Sequence, residues 1–565
     1  MKRNLLFMSV LASLFLVGCS QKEIVPGGED NGKGSGSSFI NVNLVSYGNG
    51  TRAISPYEDG TDEENKVTKV RFYFFTETGG PANVKLNGSS YVNYYDWTPG
   101  KDDVNPGSNP DIEKKLSATI VIRTPAGDQV PQRIAAVLNP TENAKSRSLS
   151  ELQSVAADYA NGNFTREGQF VMFNSVYAEG SDEIVPQPIL AKNLCTTEAD
   201  AKDNPVTLYV ERSVAKVSLG FGDLLDSNHR MQIKDKDGNA VKVPGVDGQQ
   251  INVYLEIKGW GLTAETDKGR LVKKIDASWD GNWWKGSYRS FWAINAENAA
   301  NQYHKYTDIP EMDWTTPPHL YTNENAGQLA GKQLNKTKFI INGNICDENG
   351  NALTLVRHLG VHFADVTSSS DENENFKSLK NSILKRLEAS GKKYYVKETT
   401  GESDNALTTF RQIDAGDIKI VKADQKTQED SNNNCYVYAQ LTDAAANLIW
   451  YTNNEPSVEN PTASASDINN ALKNKDVVDW GLVWNSGMTY YYDEIKHITD
   501  SKMTGVVRNH IYKVNITKIA GLGTPVYDPE EVIYPEKPEK NDHYIAAEIK
   551  ILSWRVVTDN YELEW

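Results

Sequence analysis

Phe39-Ile40-Asn41-Val42-Asn43-Leu44-Val45-Ser46 alternates apolar and polar residues, with Ile40, Val42 and Leu44 on one face and Asn41 and Asn43 on the other. A period of two over this length marks a single half-buried β-strand. The flanks give that strand its setting. Residues 26–38 (PGGEDNGKGSGSS) form a Gly/Ser-rich leash that cannot build a core. Further upstream, Lys2 and Arg3 precede an apolar run over 5–17 that closes on Leu16-Val17-Gly18-Cys19. This is a secretory signal, and small residues before a cysteine form a lipobox, where the signal is cut and Cys19 is acylated, typically with palmitate. The run is short for a membrane span, which favours cleavage over a transmembrane anchor. Downstream, Gly48-Asn49-Gly50-Thr51-Arg52-Ala53 is a polar loop with one basic residue. On spacing alone Arg52 is more often a plain loop arginine than a cutting site. Even so, a lipid, a leash, one strand and a cuttable arginine in that order describe a precursor released before it works.

The totals narrow the classes. The 565 residues suffice for two or more domains, and 39% hydrophobic with 24% charged residues suits a globular chain. A net charge of −16 argues against nucleic-acid binding and against adhesion to anionic lipid. Of the 4 cysteines, Cys19 belongs to the lipobox. Cys195, Cys346 and Cys435 are widely spaced and make neither a disulfide framework nor a zinc site, though one disulfide with one thiol left over stays open.

From residue 66 onward the pattern is mainly β. Strands are expected at 67–76 (VTKVRFYFFT), 116–124, 133–138, 169–173, 184–190 and 206–219. One helix is expected where Ser148 and Glu151 form a capping box and Leu149, Leu152, Val155, Ala156 and Tyr159 recur at helical spacing. The pattern restarts near 212–222, which sets a domain boundary. The second half adds a hairpin over 231–243 with its turn at 236–239, strands at 251–257, 338–346, 435–441, 507–519 and 546–557, and a short strand at 561–565. An amphipathic helix is expected over 376–390, stopped by Gly391. Polar insertions around 295–335 and 445–480 read as surface loops, and 527–542 as a Pro/Glu/Lys linker. Many short strands with turn signals point to two tandem β-sandwich domains with a few short helices.

Enzyme chemistry finds little support, and no cofactor, metal site or catalytic residue is expected. His358-Leu359-Gly360-Val361-His362 has histidines at i and i+4 but lacks the glutamate of a zinc helix, so it reads as strand or loop. Gly34-Ser35-Gly36 lies in the leash and lacks the strand and helix of a nucleophile elbow. Asp347-Glu348-Asn349-Gly350-Asn351 looks like a hairpin tip, without the twelve-residue calcium-loop pattern. Trp279, Trp283 and Trp284 could stack on a sugar ring, though packing is the commoner role.

Several stretches together resemble the Bacteroidia fimbrillin family, the FimA and Mfa-type major subunits of type V pili. They are 210–217 (VERSVAKV), 288–293 (YRSFWA), 321–325 (YTNEN), 490–497 (YYYDEIKH), 505–525 (GVVRNHIYKVNITKIAGLGTP) and 546–565 (AAEIKILSWRVVTDNYELEW). The resemblance implies sandwiches of transthyretin-like or Greek-key type, divided as a signal (1–18), a lipidated propeptide (19–52), an N-terminal domain (53–215), a C-terminal domain (216–526), and a linker with donor strands (527–565). It implies export to the outer membrane as a lipoprotein, a cut between Arg52 and Ala53 by a gingipain-type or other trypsin-like protease, and loss of the lipid together with the first strand. A donor strand from another copy, with Ile549, Ile551, Leu552, Trp554 and Val556 as its apolar residues, would fill the vacated groove. The residues agree with this scheme, since losing 39–46 would bare an apolar strand edge that invites strand addition.

The expected function is therefore a structural subunit of a cell-surface fimbrium, most simply of its shaft. Its expected partners are further copies of itself head-to-tail, anchor and tip subunits, the processing protease, and outer-membrane lipid before the cut. Two other readings remain: an outer-membrane lipoprotein that binds glycans, and a tip or accessory adhesin on the same fold.

Overall fold

The computed structural model describes residues 36–46, 60–101, 104–106, 114–125, 127–174, 178–179, 183–184, 186–235, 237–274, 293–329, 332–367, 369–400, 407–423, 436–454, 462–497, 505–535, 545–552 and 556–559. It is mainly β, with a few short helices. The first half contributes β1 (Gly36–Ser46), β2 (Val70–Phe75), β3 (Tyr94–Trp97), β4 (Val104–Pro106), β5 (Lys114–Thr124), β6 (Arg133–Leu138), β7 (Met172–Asn174), β8 (Gln187–Pro188) and β9 (Val206–Arg212). They form one 9-stranded sheet in the order β3-β2-β6-β7-β9-β1-β5-β4, with β8 pairing β6. Phe72 of β2, Ile134 of β6, Leu208 of β9 and Ile120 of β5 all enter one core. Strands so far apart along a sheet share a core only if the sheet curls over itself, which supplies the two layers of a sandwich.

The segment expected as one strand over 206–219 is divided at Ser213. Residues up to Arg212 pair in the first sheet, and β10 (Val214–Gly220) pairs in another. The second half continues with β11 (Arg230–Gln232), β12 (Tyr254–Thr263), β13 (His319–Asn323) and β14 (Lys338–Cys346). An inserted layer follows, holding β15 (Thr354–His358), β16 (Val361–Asp365), β17 (Ile418–Lys422), β18 (Tyr436–Leu441) and β19 (Gly481–Trp484). The chain then returns through β20 (Met488–Glu494), β21 (Ile511–Ile519), β22 (Thr524–Pro525), β23 (Ile545–Leu552) and β24 (Val556–Asp559). One sheet runs β13-β10-β21-β23-β24 and faces a second, β11-β12-β14-β20-β22. Between them lie Val217, Leu255, Phe339, Tyr491, Tyr512 and Val514.

The inserted sheet, β16-β15-β19-β18-β17, is used on both faces. Leu355, Leu482 and Trp484 join the second core, whereas Val356, Val437 and Val483 meet a third core with Ile383, Leu387, Ile468 and Leu472. Those partners come from α4 (Lys377–Ala389) and α5 (Ala465–Lys473), which follow three shorter helices, α1 (Asp62–Asn65), α2 (Leu149–Gln153) and α3 (Glu198–Asp203).

Three expectations need correction. The stretch 445–480 is not a surface loop: Trp450, Ile468, Leu472 and Val478 are buried, and Ser464 with Asp467 caps α5 reciprocally. Its Asn and Thr content hid a short amphipathic helix. The stretch 295–335 is also largely inside, because Asn295, Thr322, Asn323, Glu324 and Asn325 are buried as hydrogen-bonding partners rather than solvated. The helix at Ser148 has its capping box but ends at Gln153. Ala156 and Ala157 pair instead with Arg270 and Gly269, so tertiary strand pairing overrides the helical spacing out to Tyr159.

Candidate assembly groove

β1 is an interior strand. It runs parallel to β9, with Val42 opposite Val206 and Leu44 opposite Leu208, and antiparallel to β5, with Ile40 opposite Ile120 and Leu44 opposite Leu116. Ile40, Val42 and Leu44 are 0%, 0% and 1% exposed. The other face is not solvated as the alternation suggests, because Asn41 is buried too and donates from Nδ2 to Thr119 Oγ1 at 2.9 Å. α3 packs against β1, and beyond the end of the β9 pairing the Phe39 and Cys195 backbones exchange hydrogen bonds of 2.7 and 2.9 Å along the strand edge. β1 stands between the run β3-β2-β6-β7-β9 and the pair β5-β4 in the ladder order, and the segment 82–84 also bridges them, its Ala82 N–H donating to Phe74 O and its Val84 carbonyl accepting from Arg123 N–H. Taking β1 away would open the ladder between β9 and β5 and bare Leu208, Val210, Leu116 and Ile120, which are now buried.

Among the described residues, space is left in the sandwich at the Leu44 end of β1. A cavity of about 370 Å³ lies there, with an apolar floor of Leu44, Leu116, Leu138, Met172 and Val210. Asp62, Lys66, Lys101 and Glu167 contribute to its lining, and Lys66 is ion-paired with Glu167.

The C-terminal strands sit differently. β23 pairs antiparallel with β21, placing Ile549 opposite Val514, Ile551 opposite Tyr512 and Leu552 opposite Ile511. Its other neighbour is β24, its own hairpin mate, with Val556 opposite Leu552. The expected donor residues thus complete their own domain's sheet by backbone pairing. The expected linker ahead of them is partly docked: Ile533 is 4% exposed, its N–H donates to His304 O at 2.9 Å, and Lys338 Nζ donates to Pro535 O at 2.6 Å. Cys19, Arg52, Ala53 and Trp554 lie outside the described residues, as do the tryptophans at 279, 283 and 284.

Between the two halves lies a buried polar junction. Arg508, 1% exposed, donates from Nε to Glu324 Oε2 at 2.7 Å, and from Nη1 and Nη2 to the carbonyls of Leu271 and Arg270 at 2.9 and 2.7 Å. Lys273 Nζ stands 4.0 Å from Glu211 and 3.8 Å from Glu324. Burial pushes the Glu324 carboxyl up, but Arg508 and Lys273 outweigh it and hold the group below its ordinary value. Nearer the first sheet, Glu64 accepts from Lys216 Nζ at 2.7 Å and Tyr321 OH at 2.6 Å. These bonds overcome its burial and keep its carboxyl ionised below the usual range. Arg212 Nε donates to Glu64 O at 3.2 Å, and the Arg212 N–H to Asn509 Oδ1 at 3.1 Å. Asn323 ties Asp158 to the Thr266 carbonyl, both at 2.9 Å.

The histidine pair is structural. His358 bonds Ser382 Oγ at 2.7 Å and Val478 O at 2.8 Å; Leu359 and Gly360 form the turn between β15 and β16, both at positive φ (51° and 80°). Burial beside Trp484 pushes His362 down to about 4, so it stays neutral. Cys195 and Cys346 are buried free thiols. Among the described residues no cluster of His, Cys, Asp or Glu could hold a metal ion, and no helix is long and apolar enough to cross a membrane.

Residues 483–560 match the sequence model of the major fimbrial subunit protein type IV, fimbrillin, C-terminal. That stretch of the chain is similar to the C-terminal part of fimbrillins. The match spans β20 through β24 and includes Arg508 and Asn509 of the junction. Among solved structures this chain is similar to a fimbrilin, FimA, of Porphyromonas gingivalis W83, at 13% identity over 92% of this chain and 99% of that one, with a TM-score of 0.36. It is also similar to the tip fimbrial protein Mfa3 of Porphyromonas gingivalis with C-terminal truncation, at 10% identity over 91% and 100%, TM-score 0.26. A fimbrial assembly protein of Parabacteroides distasonis ATCC 8503 is similar at 8% identity over 66% and 96%, TM-score 0.29. No curated protein matches the chain.

Three stretches that carried the family resemblance meet at the junction: Glu211 and Arg212, Asn323 and Glu324, and Arg508 and Asn509. Sequence reading missed Glu64, Arg270, Lys273 and the cavity. Glu64 did carry a signal, since Thr61 and Glu64 form a capping box that fixes α1 against the junction. Arg270 and Lys273 carried none, because their partners are remote in sequence.

Proposed function

We propose that this chain is a fimbrillin, a structural subunit, most simply of the shaft, of a cell-surface fimbrium that polymerises by donor-strand exchange. In this reading the precursor reaches the outer membrane lipidated on Cys19, and a trypsin-like protease cuts between Arg52 and Ala53. β1 leaves with the propeptide, and a segment within 546–565 of another copy takes its place, with Ile549, Ile551, Leu552, Trp554 and Val556 as candidate contacts. The observation that carries the reading is the interior position of β1. A strand flanked on both sides, with Ile40, Val42 and Leu44 at 0–1% exposure, is one the sheet needs, yet it lies before the proposed cut.

The energetics favour replacement over simple loss. Each of the three inward side chains contributes about 1.5–3 kcal/mol by leaving water, so an emptied groove is strongly driven to capture a substitute. The ladder edges of β9 and β5 give that substitute direction and register. Joining the front of one copy to the tail of the next is heterologous and does not close, so it yields a filament. The test is a chain lacking 546–565: folded, processed monomers that never polymerise are expected, and filaments from that truncation would defeat the donor assignment.

A further inference from the structure

On the inserted layer, α5 ends at Lys473, and Asn474 then caps a single helical turn, Lys475–Val478, its side chain accepting from the Asp476 N–H at 2.9 Å. Val478 is buried, and Asp479 turns the chain into β19 at φ 64° and ψ 168°, a backbone conformation rarely held by residues other than glycine. That turn fixes Trp480. Its N–H donates to Asp479 Oδ1 at 2.8 Å, and its Nε1 donates to Lys473 O at 2.7 Å. Between ring centres, Trp480 stands 6.2 Å from Tyr436 and 5.6 Å from Tyr438, two residues that share one face of β18. Lys475 Nζ lies 4.2 Å from the centre of the Trp480 ring and 4.5 Å from that of Tyr436, and Lys473 Nζ lies 5.0 Å from that of Tyr438. Two ammoniums are thus held against three rings.

The chain carries 75 acidic residues against 59 basic ones, so a surface lysine has carboxylates to hand. On neighbouring β17, Lys419 pairs with Asp443 at 2.7 Å and Lys422 with Asp528 at 3.5 Å. Lys473 and Lys475 are exposed, yet among the described residues they pair with no carboxylate, although Asp476 and Asp479 belong to the same turn. A ring face steadies an ammonium by cation–π attraction and leaves its N–H donors for an anion from outside. We propose that Lys473, Lys475, Tyr436, Tyr438 and Trp480 bind an acidic polysaccharide bearing uronate carboxylates. The ammoniums take the carboxylates, and the half-buried rings of Trp480 and Tyr436 meet the C–H face of a pyranose unit. A sugar acid sets its carboxylate rigidly beside a flat C–H face, which matches ammoniums fixed beside rings. The carboxylate of an acidic peptide hangs on a flexible stem and offers no such face. The surrounding net charge of −16 adds selectivity, because only an anion that reaches the lysines at short range is attracted. The site lies far from both ends of the chain and is independent of strand exchange.

The test is binding of the full chain to polygalacturonate by titration calorimetry, with dextran as the neutral polymer and polyglutamate as the acidic peptide. The proposal expects binding of polygalacturonate that weakens with added salt, none of dextran, and binding of polyglutamate weaker by about tenfold or more. Lys473→Gln and Lys475→Gln should each weaken polygalacturonate binding by about tenfold, the worth of one charge-assisted contact. Lys419→Gln, which removes a lysine already paired with Asp443, should leave it unchanged. Trp480→Leu keeps both ammoniums but removes the ring between them, and should weaken binding by a similar factor. Polyglutamate bound as tightly as polygalacturonate would overturn the glycan in favour of an acidic protein surface. An equal loss from Lys419→Gln, or none from Trp480→Leu in a chain that still melts cooperatively, would mean diffuse charge and overturn the site. No binding of polygalacturonate would overturn the proposal outright.

Discussion

β1 and the β23–β24 hairpin are both extended segments near the two ends of the chain, yet the sheets hold them in opposite ways. β1 is ladder-bonded on both sides and joins two parts of its sheet. Among the described residues, the hairpin is bonded through β21 alone and forms the margin of its sheet. An interior strand that leaves takes its sheet's integrity with it, whereas a marginal hairpin can depart or recruit a partner with the sheet beneath intact. Under the proposed function, such a molecule is closed as a precursor and becomes a polymer unit only when the interior strand is lost. The hairpin's base is firm because β21 follows Arg508 and Asn509, which are fixed in the buried junction.

The sharpest way to break this comparison is to delete each segment in turn. Removing 36–46 should abolish soluble monomer, leaving aggregates or oligomers on size-exclusion chromatography. Removing 545–565 should leave a soluble monomer with a cooperative melt. Equal behaviour of the two deletions would erase the distinction. Next comes the junction. Arg508→Met leaves Glu324 buried with its hydrogen-bonded cation gone, an expected loss of about 3–5 kcal/mol by chemical denaturation. If the loss is below about 1 kcal/mol, the typical net worth of a single neutral hydrogen bond, the junction does not anchor the second sheet.

Ile40→Ala in the uncut precursor should cost about 2–5 kcal/mol, the range for a fully buried isoleucine, whatever happens at the tail. A cost near zero would mean that β1 is not held in solution as described. The smallest effect is that of pH. The Glu64 carboxyl is held below its ordinary value, so its contribution is complete above about pH 4.3, the reference value for glutamate, and is lost as pH falls through its lower folded value. Glu64→Gln should flatten part of the acid limb of the precursor's stability profile; an unchanged limb would remove Glu64 from the tie between the halves.

The strand at 39–46 was legible because its side-chain period is local and strict, and most other strands announced themselves by β-branched and aromatic runs of the same kind. What could not be read was pairing. Nothing in FINVNLVS says that its neighbours are β9 and β5, residues far along the chain, or that Asn41 is buried. The junction residues Glu211, Arg212, Glu324, Arg508 and Asn509 stood within quoted motifs, but their partnership depends on distant segments meeting, which no local pattern encodes. The stretch 445–480 was misjudged for a related reason. Ile468 and Leu472 lie in a short helix among Asn and Thr residues, where composition resembles loop and only burial against β18 shows a core. The cavity was invisible, since an unfilled volume has no residue of its own.

The central claim, that the chain is activated by losing its interior first strand, is tested most directly by the N-terminal sequence and intact mass of protein sheared from the cell surface. The account predicts a chain beginning at Ala53, in oligomers that resist SDS and collapse on boiling. A chain beginning at an acylated Cys19 and present only as monomer would contradict it.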